Sequence, residues 1–200
     1  MLRILLTVFA LFGHQIAAED LEQKAINLCD GIDCPEPVQV IQDKNYKEMQ
    51  YKHVQWIGTK VDGMGLQEAE EIGLKTLLSY AAFHNAEETI VPVTAPWGIS
   101  GYIENGIILQ NHDVFVNVVP QVKSFPAPTD PKVKFGNISA GWYFVRAVDG
   151  KLEDKQYEGH VLEFLKDLEE DNQPFEPRFF ALNFYSRSGL MEIAFAKTSK

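Results

Sequence analysis

The chain has 200 residues, 46% of them hydrophobic, and carries 28 acidic against 18 basic side chains, for a formal net charge of −10. Acidic composition without a basic run disfavours bulk-charge binding to nucleic acid or to an anionic membrane surface. The length suits a single domain with a substantial hydrophobic core.

The first residues have the pattern of a secretory signal peptide. Arg3 forms a short positive region, Ile4 to Phe12 is apolar, and Ile16-Ala17-Ala18 supplies a small-residue cleavage site. The apolar run is shorter than the ~20 residues that a membrane-spanning helix needs, so a transmembrane anchor is the weaker alternative. We therefore expect residues 1–18 to be removed and the mature protein to be secreted and extracellular.

A polar extension is predicted for residues 19–37, ahead of a folded domain at 38–200. It contains both cysteines of the chain, Cys29 and Cys34. In an oxidising compartment, an even pair this close in sequence favours a local disulfide. A metal site would need two further soft ligands nearby, and the extension has none.

The first half of the domain reads as strand, helix, strand, strand. The predicted ranges are about Tyr46–Val61, a helix over Leu66–Phe83, and strands near Ile90–Ile103 and Ile108–Val119. Helical spacing of apolar and small residues predicts a buried face made of Ala69, Ile72, Gly73, Leu77, Tyr80 and Ala81.

The segment Val91–Trp97 is unusual because it is a strand with two prolines. Pro92 and Pro96 are four residues apart, so both missing N–H donors lie on the same strand edge. The segment must therefore form a free edge, a bulge or a break in the hydrogen-bond ladder.

The second half repeats the same order. A strand or strand pair over Lys132–Val148 precedes a helix over Asp154–Glu170, and strands follow near Arg178–Tyr185 and Met191–Lys197. The helix is expected to bury Tyr157, Val161, Phe164, Leu165 and Leu168. Two β-α-β-β halves predict an α+β fold, a curved antiparallel sheet with both helices packed outside.

One N-glycosylation sequon, Asn137-Ile138-Ser139, lies in this half. On a secreted protein Asn137 is a candidate glycan site. The alternative is that Asn137 lies in a folded strand and stays unmodified.

Several short motifs, taken in order, resemble the SOUL heme-binding protein family over roughly Val38 to Lys197. These are Tyr46, Tyr51 and Trp56; the run Trp56–Val61; Gly73, Leu77, Ser79, Tyr80 and Asn85; Thr94-Ala95-Pro96; Phe125–Asp130; Phe144-Val145-Arg146 with Asp149-Gly150; and Glu192-Ile193. The resemblance implies a distorted antiparallel β-barrel flanked by two helices, and non-covalent binding of heme or another porphyrin.

The resemblance also implies where a tetrapyrrole would bind, on the surface of the first helix. Leu74 and Leu78 flank Lys75 there, and Lys75 would lie near a propionate. His84 is the first candidate for an axial iron ligand, and Met64 is either a soft ligand or a gap filler. Some family members use a histidine on the first strand, where this chain has Gln50.

Motifs for catalysis are weak. Gly63-Met64-Gly65 opens a helix, but Glu68 stands where the dinucleotide fingerprint needs its third glycine. No catalytic residue is therefore predicted. Two alternatives to a secreted heme-binding protein stay open: a protein-interaction module that has lost the ligand, and an enzyme acting on tetrapyrroles.

Overall fold

A computed structural model describes residues 38–43, 45–119, 122–138, 140–148, 152–185 and 191–198. The predicted signal peptide, the extension and the pair Cys29 and Cys34 lie outside these residues. Within them, no helix combines the length and the apolar character needed to cross a membrane.

The described residues form nine strands and two helices, close to the predicted pattern. The bounds are β1 (Gln39–Gln42), β2 (Lys47–Tyr51), β3 (Val54–Asp62), α1 (Leu66–Ala81), β4 (Val93–Glu104), β5 (Ile107–Val118), β6 (Val133–Ile138), β7 (Gly141–Val148), α2 (Asp154–Glu170), β8 (Phe179–Phe184) and β9 (Met191–Ala196). The predicted first strand is divided into β2 and β3, and α2 has both predicted ends.

All strands belong to one antiparallel sheet, with the order β1-β2-β7-β9-β8-β4-β5-β3-β6. The chain contains two similar units, β3-α1-β4-β5 and β7-α2-β8-β9. Counted outward from the middle of the sheet, the strands of the first unit lie in the order β4-β5-β3 and those of the second in the matching order β8-β9-β7. They meet where β4 pairs with β8. The predicted α+β fold with two β-α-β-β halves is thereby confirmed.

Helix α1 packs closely on β5 through a glycine. An added Cβ at Gly73 would lie 2.5 Å from the Cβ of Val114, so only glycine allows this approach. The buried residues of α1 are Leu66, Ala69, Gly73, Leu77, Tyr80 and Ala81. The expectation that Ile72 is buried was wrong: it is 41% exposed, because it is turned ~100° about the helix axis from Gly73.

Helix α2 packs on the same side of the sheet. Val161, Phe164 and Leu168 are buried as predicted, whereas Tyr157 and Leu165 are only half-buried. Glu153 and Gln156 form a capping box at its start: the Gln156 side chain accepts from the Glu153 N–H at 2.9 Å. This cap fixes the first turn of the helix.

The two prolines of Val91–Trp97 have different roles. Strand β4 lies inside the sheet, and its pairing with β5 shifts register between Thr94 and Trp97. The bulge alternative is therefore correct for Pro96, whose bond to Ala95 is cis. Pro92 precedes β4, and its carbonyl accepts a hydrogen bond from the Val119 N–H at 3.3 Å.

Strand alternation gives the curved sheet two different faces. The face under the helices forms the main core, with Ile57, Ile99, Val114, Phe144, Phe180, Leu182, Ile193 and Phe195 all buried. The opposite face carries the intervening residues, and it encloses a cavity.

Candidate functional site

The outer side of α1 is the surface predicted to bind a tetrapyrrole. Leu78 is 45% exposed and Lys75 is exposed beside it. Leu74 is only half-buried and packs against the core. Of the two leucines expected to flank Lys75, Leu78 is therefore the more available to a ligand.

The C-terminal end of α1 adds two residues to this surface. Phe83, 54% exposed, has a positive φ of 78° that turns the chain out of the helix. His84 follows, exposed, with its Nδ1 3.2 Å from the Ser79 carbonyl oxygen. A carbonyl only accepts, so Nδ1 is the donor in this contact, and in the neutral imidazole Nε2 then carries the lone pair. We name Lys75, Leu78, Phe83 and His84 the α1 surface; sequence reasoning missed Phe83.

Met64 lies at the other end of α1. Its side chain is half-buried against the core, and its carbonyl is 3.2 Å from His112 Nε2. The 16 residues of α1 separate Met64 from His84 by ~24 Å at 1.5 Å per residue. The structure therefore does not bring these two candidate iron ligands together.

The described residues also enclose a cavity of about 380 Å³ on the sheet face opposite the helices. We call it the interior cavity. Seven of the 16 residues that line it are aromatic, and they come from both halves of the sheet order: Tyr51, Trp56, Tyr102, Phe115, Tyr143, Phe179 and Tyr185. This cavity was not predicted from the sequence.

Glycines make room for the rings of the cavity wall. A Cβ at Gly98 would lie 2.5 Å from Cζ of Phe115, and one at Gly58 or Gly136 would overlap the indole of Trp56. The rings of Phe115 and Trp56 therefore occupy space that a side chain at these glycines would need.

A buried polar pair stands at the wall. The Tyr185 hydroxyl donates to Glu192 Oε2 at 2.6 Å, and both residues are buried. Burial raises the pKa of the Glu192 carboxyl, while the Tyr185 hydrogen bond and the positive charge of Lys47 oppose that rise. The hydroxyl of Tyr51, which also lines the cavity, donates to the sulfur of Met49 at 3.6 Å.

A second polar group in the wall is unsatisfied. Asn117 lines the interior cavity and is 3% exposed, and its Oδ1 has no hydrogen-bond partner among the described residues. Burying an acceptor without a donor is unfavourable, so this oxygen is suited to a donor from a bound molecule.

The described part of the chain contains no cluster of His, Cys, Asp or Glu able to hold a metal ion. Gln50, at the position where some SOUL proteins have their histidine, pairs in β2 with Trp142 of β7.

The predicted glycosylation site is Asn137, which is exposed on the edge strand β6, whereas Ser139 of its sequon lies outside the described residues.

Comparisons with known proteins identify the family and the fold. Two hydrolases from Listeria innocua match at TM-scores of 0.51 and 0.50, with 8% and 9% identity, covering 79% and 82% of this chain and 94% and 93% of theirs. An uncharacterized conserved protein from Listeria innocua matches at 0.51, with 9% identity, 78% of this chain and 93% of its own. At such identities the likeness shows the fold alone. No curated protein matches the chain. The family model described as SOUL heme-binding protein matches residues 32–193, and the chain therefore belongs to the SOUL heme-binding protein family.

Proposed function

We propose that the mature protein binds heme or a related tetrapyrrole non-covalently at the α1 surface. The family match over residues 32–193 is the observation that carries this proposal. The exposed apolar side chains Leu78 and Phe83 beside a basic one support the location.

The α1 surface offers the three kinds of contact that heme needs. Leu78 and Phe83 are 45% and 54% exposed and would cover apolar ring surface. Lys75, the one basic residue of α1, would pair with a propionate. Heme iron takes an axial nitrogen ligand, and Nε2 of His84 has the lone pair for that role.

A binding role rather than catalysis is proposed, because the family is named for heme binding. The two Listeria hydrolases share the fold at 8% and 9% identity, too little to transfer an activity. A tetrapyrrole-modifying enzyme would need convergent acid and base groups at the α1 surface, whereas its titratable side chains are Lys75 and His84.

Hemin titration of the mature protein tests the proposal. We expect a sharpened, red-shifted Soret band that saturates near one equivalent. His84→Ala should shift this band and weaken binding, whereas His160→Ala should not, because His160 lies on α2 beside Glu163. A broad spectrum like that of free hemin, with unchanged tryptophan fluorescence, would contradict heme binding and favour the protein-interaction alternative.

We also propose that the protein is secreted. Expression of the full chain in cultured eukaryotic cells should place it in the medium. Glycosidase treatment should lower its mass, and Asn137→Gln should abolish that change, because Asn137 is exposed. Alkylation of Cys29 and Cys34 only after reduction would support the disulfide. Retention inside the cells without cleavage after residue 18 would contradict secretion.

A further inference from the structure

We propose that the interior cavity is a second ligand site, for a small aromatic molecule with a protonated amine at one end and a hydrogen-bond donor at the other. The site is independent of the α1 surface, since the two lie on opposite faces of the sheet. Its volume of about 380 Å³ falls at the small end of the ~300–1,000 Å³ range of small-molecule pockets.

The wall of the cavity favours an aromatic body. Trp56, Phe115 and Phe179 present apolar rings, and Tyr51 and Tyr143 pack edge-to-face with centroids 6.0 Å apart. Rings of this kind pack against a flat aromatic ligand and attract a positive charge through their faces. A bulky saturated molecule would use neither property.

The charges around the cavity favour a cation. Within the described residues, no Lys, Arg or His lines it, whereas Asp113 does and Glu192 stands directly behind Tyr185. Burial raises the pKa of Glu192, although the Tyr185 hydrogen bond and the positive charge of Lys47 oppose that rise. A protonated amine in the cavity would further favour the ionised carboxylate, whereas a carboxylate or propionate would add repulsion.

The register of the sheet sets the separation between the two polar groups assigned to the ligand, Glu192 and Asn117. Glu192 pairs with Asn183 on β8, Asn183 with Gly98 on β4, and Gly98 with Phe115 on β5, two residues from Asn117. Three interstrand steps of ~4.8 Å, with an offset of two residues or ~7 Å along β5, give ~16 Å along the curved sheet, and less straight across the cavity. An amine at Glu192 therefore leaves Asn117 to a different donor, at the other end of the ligand.

Four soluble probes of matched shape test these requirements on the folded mature protein by calorimetry. Tyramine has both the amine and the hydroxyl, phenethylamine lacks the hydroxyl, 4-ethylphenol lacks the amine, and 3-(4-hydroxyphenyl)propionate replaces the amine by an anion. We expect tyramine to bind at least about tenfold more tightly than each of the others. The indole N–H resonance of Trp56 should shift on binding, and that of Trp142, outside the cavity lining, should not.

Two variants assign the ends of the ligand. Glu192→Gln keeps an acceptor for Tyr185, and it should weaken tyramine about tenfold while changing 4-ethylphenol less than about twofold. Asn117→Leu has similar volume, and it should weaken tyramine to the level of phenethylamine while leaving phenethylamine unchanged. Asp113→Asn, at the carboxylate that lines the cavity, should weaken tyramine less than Glu192→Gln does, because the positive charge of Lys60 already acts on Asp113.

The affinities of the four probes for the wild-type protein decide the ligand class even if a variant fails to fold. Equal affinity for all four probes, or no saturable tyramine binding up to about 10 mM, would overturn the proposal. Loss of tyramine binding in Asp113→Asn but not in Glu192→Gln would overturn the assignment to Glu192. Failure of hemin binding leaves each of these outcomes readable, because none of them involves hemin.

Discussion

The indole Nε1 of Trp97 donates a hydrogen bond to Glu70 Oε1 at 2.8 Å. This contact joins β4, immediately after the Ala95–Pro96 bulge, to the second turn of α1. Trp97 also stacks on Phe184, with ring centroids 6.0 Å apart and an interplanar angle of 18°. The bulge thus directs one indole toward both a helix and the neighbouring strand β8.

Two substitutions at Glu70 separate the hydrogen bond from the charge. Burial raises the pKa of Glu70, although the Trp97 hydrogen bond opposes this. Glu70→Gln keeps an acceptor and removes the buried charge, so at pH 7 its free energy of unfolding should equal or exceed wild type by up to ~1 kcal/mol. Glu70→Leu leaves the indole N–H unpaired and should cost ~1–2 kcal/mol. Urea denaturation measures both.

The pH dependence gives a further check on Glu70. Because its folded-state pKa is raised, its stabilising contribution is complete below the unfolded pKa and is lost as pH rises through the folded pKa. The advantage of Glu70→Gln over wild type should therefore grow as the pH rises from the unfolded pKa of ~4.3 to the raised folded-state pKa. A constant difference across that range would contradict the buried-charge explanation.

Arg146 and Asp167 should make the ion pair with the largest effect on stability. Arg146 Nη2 bonds Asp167 Oδ2, with 12% and 29% of the two side chains exposed, and the guanidinium lies 4.4 Å from the Phe164 ring centroid. We expect Arg146→Ala to cost ~2–3 kcal/mol, since it leaves a partly buried carboxylate. Lys166→Ala breaks the exposed Lys166–Glu170 pair and should cost less than ~0.5 kcal/mol.

Acid should weaken this same pair. The hydrogen bond from Arg146 lowers the pKa of Asp167 below its usual value. A depressed folded-state pKa stabilises the protein above the unfolded pKa of ~3.9, and this contribution is lost as pH falls through the folded pKa. The stability gap between wild type and Arg146→Ala should shrink below about pH 4, by urea denaturation. An unchanged gap there would refute the pairing.

Two helix-interior glycines should respond in opposite ways to alanine. Both substitutions gain ~0.5–1 kcal/mol of helix propensity. Gly159 on α2 has nothing within 4 Å of an added Cβ, so Gly159→Ala should raise the melting temperature. At Gly73 the Cβ would lie 2.5 Å from Val114, so Gly73→Ala should cost ~1–3 kcal/mol through overpacking. Stabilisation by both changes would show that α1 can move away from β5.

Charge at the α1 surface should matter for hemin in a position-specific way. Lys75→Glu places a carboxylate where a propionate would pair, and should weaken hemin binding about three- to tenfold at low salt. Lys155→Glu changes net charge equally, but on exposed α2, and should have little effect. Equal weakening by both variants would mean that bulk charge, and not Lys75, governs hemin affinity.

Sequence reasoning recovered the elements that have one exposed and one buried side. Helix α2 has a steady helical period over its whole length, and both of its predicted ends agree with the structure. Ile72 was misassigned because periodicity gives the buried stripe only to within one residue on either side. Phe83 was missed because the predicted helix extended to Phe83, whereas α1 ends at Ala81 and Phe83 adopts a positive φ beyond it.

The interior cavity was missed for a different reason. Its wall mixes polar and aromatic side chains on alternate strand positions, as at Asp113, Phe115 and Asn117. Such a mixture resembles the solvated face of a strand when each strand is read alone. Only the order β9-β8-β4-β5-β3 shows that these faces curve toward one another.

Successive residues of β5 face two different compartments of this protein, the core under α1 and the interior cavity. Val114 and Val116 are buried under α1, while Asp113, Phe115 and Asn117 line the interior cavity. A one-residue insertion or deletion would exchange every side chain beyond it between these compartments. It would place Asp113 or Asn117 against the helix and an apolar valine in the cavity. Homologues should therefore keep both the apolar alternation of β5 and its length between the β4–β5 turn at Asn105-Gly106 and Val118.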